Sequence, residues 1–347
     1  MANPSTTYFP LTGDLAVDAL TTGYKWVLDS SRIVDFSISN GFFGEYWNSP
    51  SEVANYVGAA LGTFSYYSNI KFNYVGGFNN PSQAAASGSE INVSLDGANL
   101  FFSNPNQYAR AFFPSPYDQT AVYAGEEGDV YLNILSPANS LPSYGPGSQG
   151  WFVLIHELGH AVGLKHTHDD GGTGRPTFAQ LGISWLDKDY GSIMSYNDDA
   201  AWNTVAWDPA TPMAADVLAL QYLYGKNLST NAGDSVFQLQ RTNFFYTLWD
   251  ASGTDTIDAS GSSEGWYILL PDETVSTLVD TKVGYSLPTS DYNASFPTDF
   301  VWLTGDYENA TGSSFNDVIV GNRFDNIICN CPATSTKLRP IVIVQSG

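Results

Sequence analysis

His156, Glu157, His160 and His166 stand in the pattern H-E-x-x-H-x-x-G-x-x-H, with Gly163 between the last two histidines. Two histidines four residues apart lie on one face of a helix and can grip a single metal ion. The glutamate between them projects near the metal without necessarily binding it. A glycine at 163 can take positive φ and end the helix, so the chain turns and His166 reaches the same metal from another direction. Three neutral imidazoles leave zinc an open position for water. The ion lowers the pKa of that water, and Glu157 can take its proton. A bare H-E-x-x-H would be a weak signal. Here the extension is complete, and it uses all but one of the chain's four histidines. The remaining one, His168, reads as a surface or supporting residue rather than a fourth ligand.

Downstream lies Gly191-Ser192-Ile193-Met194-Ser195-Tyr196. A methionine turn beneath the zinc is the second hallmark of the metzincins. A methionine among apolar residues is usually only core, so this segment gains meaning from the zinc pattern that precedes it.

These residues need a scaffold. A helix is predicted over 151–164, WFVLIHELGHAVGL, and a second from Pro212 to a glycine cap at Gly225. Ser49-Pro50-Ser51-Glu52 reads as a capping box with proline at the first helical position, opening a further helix. The runs 32–39, 69–75, 89–96 and 128–135 read as strands. Residues 1–20 look polar and loosely ordered, as termini often are. After about 230 helical pattern disappears, and short β-branched segments alternate with Gly, Asn and Asp. The fold predicted is an α+β metzincin-like protease domain over 21–230, a twisted sheet plus an active-site helix. An all-β domain over 231–330 follows, and then a divergent tail, 331–347.

With these segments in view, the chain resembles the serralysin branch of the metzincins, the calcium-dependent secreted proteases of Gram-negative bacteria. The resemblance runs from about residue 19 to about 330 and rests on the zinc pattern, SIMSY (192–196), GDVYLN (128–133) and the segment 215–237. It implies that GDVYLN is the edge strand on which an extended peptide pairs, which would give an endopeptidase of modest specificity. It implies that Tyr196 is a displaceable zinc ligand that donates a hydrogen bond to the oxyanion of the tetrahedral intermediate. It further implies calcium in the second domain. One ion would be held by Asp250 and Asp255 with the carbonyls of Asn231, Gly233, Ser235 and Ser252, and a second shared by Gly253, Asp255, Asp306 and Glu308. Residues 1–20 would be a segment of propeptide type.

Read without the family, Asp250 and Asp255 around Gly253 suit either a calcium loop or an ordinary Asp/Gly turn. Gly312–Val320 and Gly321–Ile328 are degraded copies of the calcium-binding nonapeptide, with phenylalanine where its later glycine belongs. Such arrays need about three or more repeats to be stable. The expected second domain is therefore a truncated parallel β-roll or β-sandwich.

Composition bounds the rest. Of 347 residues 43% are hydrophobic, so a sizeable core is expected. The 13 basic and 35 acidic residues give a net charge of -22, which argues against nucleic acid or an anionic membrane as partner and offers oxygen ligands for calcium. Protein or peptide substrates and a monomeric enzyme are expected. Cys329 and Cys331 are too close for an ordinary structural disulfide. No membrane span and no N-terminal signal peptide are legible, so export without one, by a type I route, is the expected location. The alternative to a secreted zinc endopeptidase is a non-catalytic metal- and calcium-binding adhesion module on the same fold. A matrixin-like enzyme fits less well, given Tyr196 and the region after 230.

Overall fold

The computed structural model describes residues 2–97, 100–117, 122–139, 144–197, 208–273, 283–294, 297–330 and 341–344. It is a mixed α/β chain with few helices. A short ribbon of β1 (Asn3–Pro4) and β2 (Trp26–Val27) flanks helix α1 (Leu15–Leu20). Strand β3 (Ile33–Ser39) leads to helix α2 (Pro50–Tyr67), β4 (Lys71–Phe78), the short α3 (Pro81–Ala86), β5 (Ile91–Asp96), β6 (Ala109–Ala111) and β7 (Val130–Asn133). The five-stranded sheet has the order β4-β3-β5-β7-β6, parallel except for β6, which runs antiparallel to β7. Helices α4 (Gln149–Ala161) and α5 (Ala214–Tyr224) complete this half. Nearly every side chain of α4 is buried, so this amphipathic segment becomes a central helix.

Three expectations change here. The strand GDVYLN is internal: β7 pairs with β5 on one side and β6 on the other, and the sheet edge is Ala109–Ala111. Three residues of alternating small and charged type carry too weak a pattern to be read as a strand. Helix α2 does start at Pro50, but the Ser49 side chain makes no capping hydrogen bond. Proline already removes one of the amide donors that a cap would satisfy.

Residues before 20 are not loose. Asp14 caps α1, and Ala16, Val17, Ala19 and Leu20 are wholly buried, Val17 and Ala16 against Leu218 of α5. Asp18 accepts hydrogen bonds from the Thr12 and Gly13 amides and faces Arg175 at 3.6 Å. Arg175 is 1% exposed, and its guanidinium donates to Tyr8 Oη, to the Phe9 carbonyl and to Thr21 Oγ1. A residue of the loop after the zinc pattern thus ties down residues 8–21.

The second half has no helix among its described residues. Strands β8 (Val236–Gln238), β10 (Thr256–Asp258), β14 (Asn309–Gly312) and β16 (Ile328–Asn330) form an all-parallel sheet. Strands β9 (Phe245–Trp249), β11 (Trp266–Glu273), β12 (Val283–Pro288), β13 (Phe300–Thr304), β15 (Asp317–Val320) and β17 (Ile341–Val344) form a mixed sheet in the order β17-β15-β11-β12-β13-β9. From β14 to β17 the chain alternates between the two sheets. The change of character near 230 does not divide the core. Phe245, Phe300 and Trp302 join the cluster that contains α4, and Tyr67 Oη donates to the Thr247 carbonyl at 2.6 Å. Cys329 lies in β16 without a disulfide, and Cys331 lies outside the described residues, as does most of the tail 331–347. No helix among the described residues is long and apolar enough to cross a membrane.

Arg175→Ala should lower unfolding free energy in urea by about 2–5 kcal/mol, because Tyr8 Oη, the Phe9 carbonyl and Thr21 Oγ1 would lose their donor and the buried side chain would leave a void. The same variant should expose residues 8–21 to limited proteolysis. Wild-type stability and protection would show that the clamp is idle.

Candidate metal centre

The three ring Nε2 atoms of the histidine pattern converge. His166 Nε2 lies 3.2 Å from His156 Nε2 and 3.0 Å from His160 Nε2. Ligand nitrogens about 2.0–2.1 Å from one tetrahedral ion stand roughly 3.3 Å apart, so the spacing matches that of a shared metal. The opposite nitrogens settle the tautomers. His156 Nδ1 donates to the Ile193 carbonyl at 2.7 Å, and His160 Nδ1 to the Leu164 carbonyl at 2.8 Å. A carbonyl can only accept, so each Nδ1 carries the proton and each Nε2 presents a lone pair. Burial, with His166 adding to it, pushes His156 down to about 3 and His160 well below the usual imidazole range. Both are therefore neutral at pH 7, as ligands must be. Among the described residues this trio is one of two groups of side chains close enough to hold an ion; the other is His166, His168 and Asp169.

The local chain explains the convergence. Helix α4 ends at Ala161, where the Leu164 amide donates to the Gly159 carbonyl and Gly163 takes φ +103°. A Cβ at 163 would come within 2.8 Å of the Tyr24 carbonyl oxygen, so glycine is required twice over. Trp26 Nε1 and Tyr224 Oη donate to the buried helix-end carbonyls of Ala161 and Val162. The chain then pairs with residues 20–22 and swings His166 back towards the helix.

The methionine turn lies below. Met194 is wholly buried, with its sulfur 2.8 Å from where a Cβ on Gly159 would stand. Asp216 of α5 pins the turn, accepting from Ser192 Oγ at 2.6 Å, the Ile193 amide at 2.8 Å and the Met213 amide at 2.9 Å. Burial raises its pKa to about 7 against the effect of these donors. Tyr196 leaves the turn with its hydroxyl 2.8 Å from His166 Nε2 and its side chain 55% exposed. Burial around the hydroxyl and the Glu157 charge push the phenol above its ordinary pKa, so it stays protonated.

Glu157 is 7% exposed, and desolvation raises its carboxyl to about 8 against the pull of Arg110. It lines a cleft of about 820 Å³ together with the three histidines, Tyr196 and the edge strand β6. The structure therefore brings His156, Glu157, His160, His166 and Tyr196 to one place. His168 is exposed and stacks on His166 with ring centroids 5.1 Å apart.

Two residues that sequence reasoning missed act on the trio. Asp169 accepts from His166 Nδ1 at 2.6 Å. Burial alone would raise this carboxyl, but the hydrogen bonds from His166 and the Gly171 amide hold it at about 2. The signal available was its place three residues beyond His166. Asp216 lies in a different helix, and no local pattern links it to the turn.

The second set of expected ligands is gathered in part. Asp250 is 1% exposed and Asp255 wholly buried, and the charge of each acts on the other. Both Asp250 oxygens and Asp255 Oδ2 lack any partner. Burial and then the neighbouring carboxylate push Asp250 well above the carboxylate range. The backbones of Gly233 and Gly253 meet at this point, since a Cβ on Gly253 would lie 2.8 Å from the Gly233 carbonyl oxygen. Asn231 and Ser235 flank it: Asn231 Nδ2 donates to Tyr66 Oη, and the Ser235 amide to Asp255 Oδ1. Ser252 is on the exposed loop. Glu308 Oε2 accepts from the Asp255 amide at 2.8 Å, while the exposed Asp306 faces Arg323 at 3.4 Å.

No family model matches the chain. Its sequence is 30% identical over 264 residues to the metalloprotease AprA of Pseudomonas entomophila, covering 70% of this chain and 50% of that protein. It is 26% identical over 349 residues to serralysin of Proteus mirabilis, covering 94% and 66%, and 28% identical over 345 residues to serralysin B of Dickeya chrysanthemi, covering 87% and 66%. The chain thus spans between half and two thirds of the length of these curated relatives.

Asp169→Ala should weaken zinc retention against a competing chelator about 10–100-fold, because it frees the His166 ring to rotate and lose its tautomer. Asp169→Asn keeps an acceptor oxygen and should lose less. Equal affinity in all three proteins would remove Asp169 from the site.

Proposed function

We propose, for a chain of serralysin type, that it is a secreted zinc-dependent endopeptidase that acts on protein substrates as a monomer. The observation that carries this reading is the set of three Nε2 atoms converging on one point, with Glu157 and an open strand edge on the same cleft. His156, His160 and His166 would hold the zinc ion. When bound, zinc supplies a Lewis acid that lowers the pKa of water and polarises a carbonyl.

The chain's own groups then have separate tasks. An extended peptide adds to β6 through main-chain hydrogen bonds and lies along the cleft. Glu157 takes a proton from the attacking water and returns it to the leaving amine. The Tyr196 hydroxyl, held protonated and on an exposed side chain, turns from His166 to donate to the developing oxyanion. We assign the first half to the metzincin architecture and place the change to the β domain near residue 230. Burial of residues 14–20 against α5 favours a role for them in the protease domain itself.

We further assign calcium to the Asp250–Asp255 pair. Two buried carboxylates, with both Asp250 oxygens and Asp255 Oδ2 left without donors, repel each other unless a cation or a proton lies between them. The degraded repeats are a poor fit for the same ion. Asp317 already accepts from the Ser313 amide, Ser313 Oγ and the Trp266 amide. In the next turn Asn326 stands at the aspartate position, and its Nδ2 donates to the Glu308 carbonyl. The Asn322 amide group likewise donates to the Pro271 and Tyr307 carbonyls. In these two turns, side-chain donors meet the oxygens that a cation would otherwise need to satisfy.

Casein hydrolysis by the zinc-loaded chain should stop on chelation and return with zinc. Glu157→Gln should bind zinc as before but lose at least about 100-fold in turnover, and Tyr196→Phe roughly 100-fold with zinc content unchanged. Zinc bound by wild type without any cleavage would favour the adhesion-module reading instead. For calcium, melting temperatures are compared with ion and with chelator. The raised Asp250 pKa stabilises the metal-free fold below the ordinary carboxylate range, and that contribution is lost as pH rises through the folded value. Metal-free protein should therefore melt progressively lower from acid to neutral pH, calcium should restore it, and Asp250→Asn should abolish the calcium response.

A further inference from the structure

Beside the zinc cleft lies a second concavity of about 300 Å³, walled by Tyr8, Tyr24, Phe113 and Tyr117. The two are continuous, because Phe113, Gly171 and Gly172 line both. Phe113 also meets His160 edge-to-face with ring centroids 5.3 Å apart, so one ring separates this pocket from a zinc ligand.

Its walls are aromatic and fixed. Tyr8 and Tyr24 pack edge-to-face at 5.6 Å, and Tyr24 and Tyr117 lie 5.9 Å apart. The buried Arg175 holds Tyr8 by a 3.0 Å hydrogen bond to its hydroxyl and by its guanidinium 4.9 Å from the ring centre. The ring in turn fills the space beside Gly23 that any side chain there would need. Tyr117, by contrast, is 74% exposed and Tyr8 38% exposed, so the aromatic faces remain open. No lining residue is charged. Two of the hydroxyls are committed locally: Thr22 Oγ1 accepts from the Tyr24 amide and Ser115 Oγ from the Tyr117 amide. A rigid, open, uncharged aromatic box fits a large apolar or aromatic side chain and discriminates against a charged one.

We infer that this pocket is a substrate subsite for a bulky apolar or aromatic residue on the amino-terminal side of the scissile bond, an inference that rests on the peptidase reading above. The side follows from chain direction. Strand β6 runs from Ala109 to Ala111 and on to Phe113. We take the peptide to add antiparallel to β6, as β7 pairs on its other edge, so that it runs the other way and its amino-terminal flank lies over Phe113 and next to the pocket. The N-terminal segment, through Tyr8, then forms part of the substrate cleft.

The test uses the full zinc-loaded chain and a peptide library randomised on both sides of the cleaved bond, with products read by mass spectrometry. One position on the amino-terminal side should favour Phe, Tyr and Leu over Ala, Asp and Lys. The Phe-over-Ala ratio there should fall about tenfold in Tyr8→Ala and in Tyr117→Ser and persist in Tyr8→Phe, which keeps the ring. Because each ratio is taken within one variant, loss of active protein cancels. Tyr117→Ser, at an exposed position, keeps the test valid where Tyr8→Ala fails to fold. Cleavage with unchanged selectivity in Tyr117→Ser and Tyr8→Ala, or selectivity confined to the carboxyl side, would overturn the subsite alone. No cleavage of any peptide by the zinc-loaded wild type would overturn the peptidase reading and the subsite with it.

Discussion

Three imidazole nitrogens converge on one point, where the lone pairs of His156 and His160 repel each other, and the rest of this half of the chain is arranged to keep them there. Each ring is fixed from behind by an acceptor on its Nδ1: the Ile193 carbonyl, the Leu164 carbonyl and the Asp169 carboxylate. These acceptors come from the methionine turn, the helix end and the loop after His166. The site therefore forms only when all three segments are in register. A cation relieves the repulsion, so metal binding and local folding are coupled.

The register is set by residues remote from the metal in sequence. Asp216 joins α5 to the methionine turn, while Trp26 and Tyr224 close the end of α4. Arg175 fastens residues 8–10 and helix α1 to the loop after His166. The β half belongs to the same construction, since Trp302 Nε1 donates to the Tyr190 carbonyl just ahead of the turn and Phe300 stacks on Tyr190. A change in the β half can thus reach the histidine cluster through packing, without any shared ligand.

The β half answers one electrostatic problem in two ways. At Asp250 and Asp255 two carboxylates are left facing each other, which builds in a need for a cation. In the turn at 312–317 Ser313 donates to the Asp317 carboxylate, and at 321–326 asparagine side chains replace the carboxylate and donate to backbone carbonyls. Neutral amides cost less to bury than paired carboxylates, so these turns close with protein donors alone.

The sequence by itself determined the chemistry whose geometry is local. Ligands spaced four apart on a helix, a glycine turn and a third histidine imply one metal site, because a helix and a positive-φ turn fix those relations within a few residues. Strands β3 and β5 and the helix capped by Gly225 were legible for the same reason: their patterns are internal to each segment. What only the tertiary structure decided involves pairing between distant segments. Ala109–Ala111 is an edge strand because β7 already has a partner on its other side, not because of its own residues. Residues 14–20 are ordered because α5 and Arg175 bury and bind them. Asp169 and Asp216 gain their roles from what faces them, and a carboxylate's partners are set by the fold and not by its neighbours along the chain.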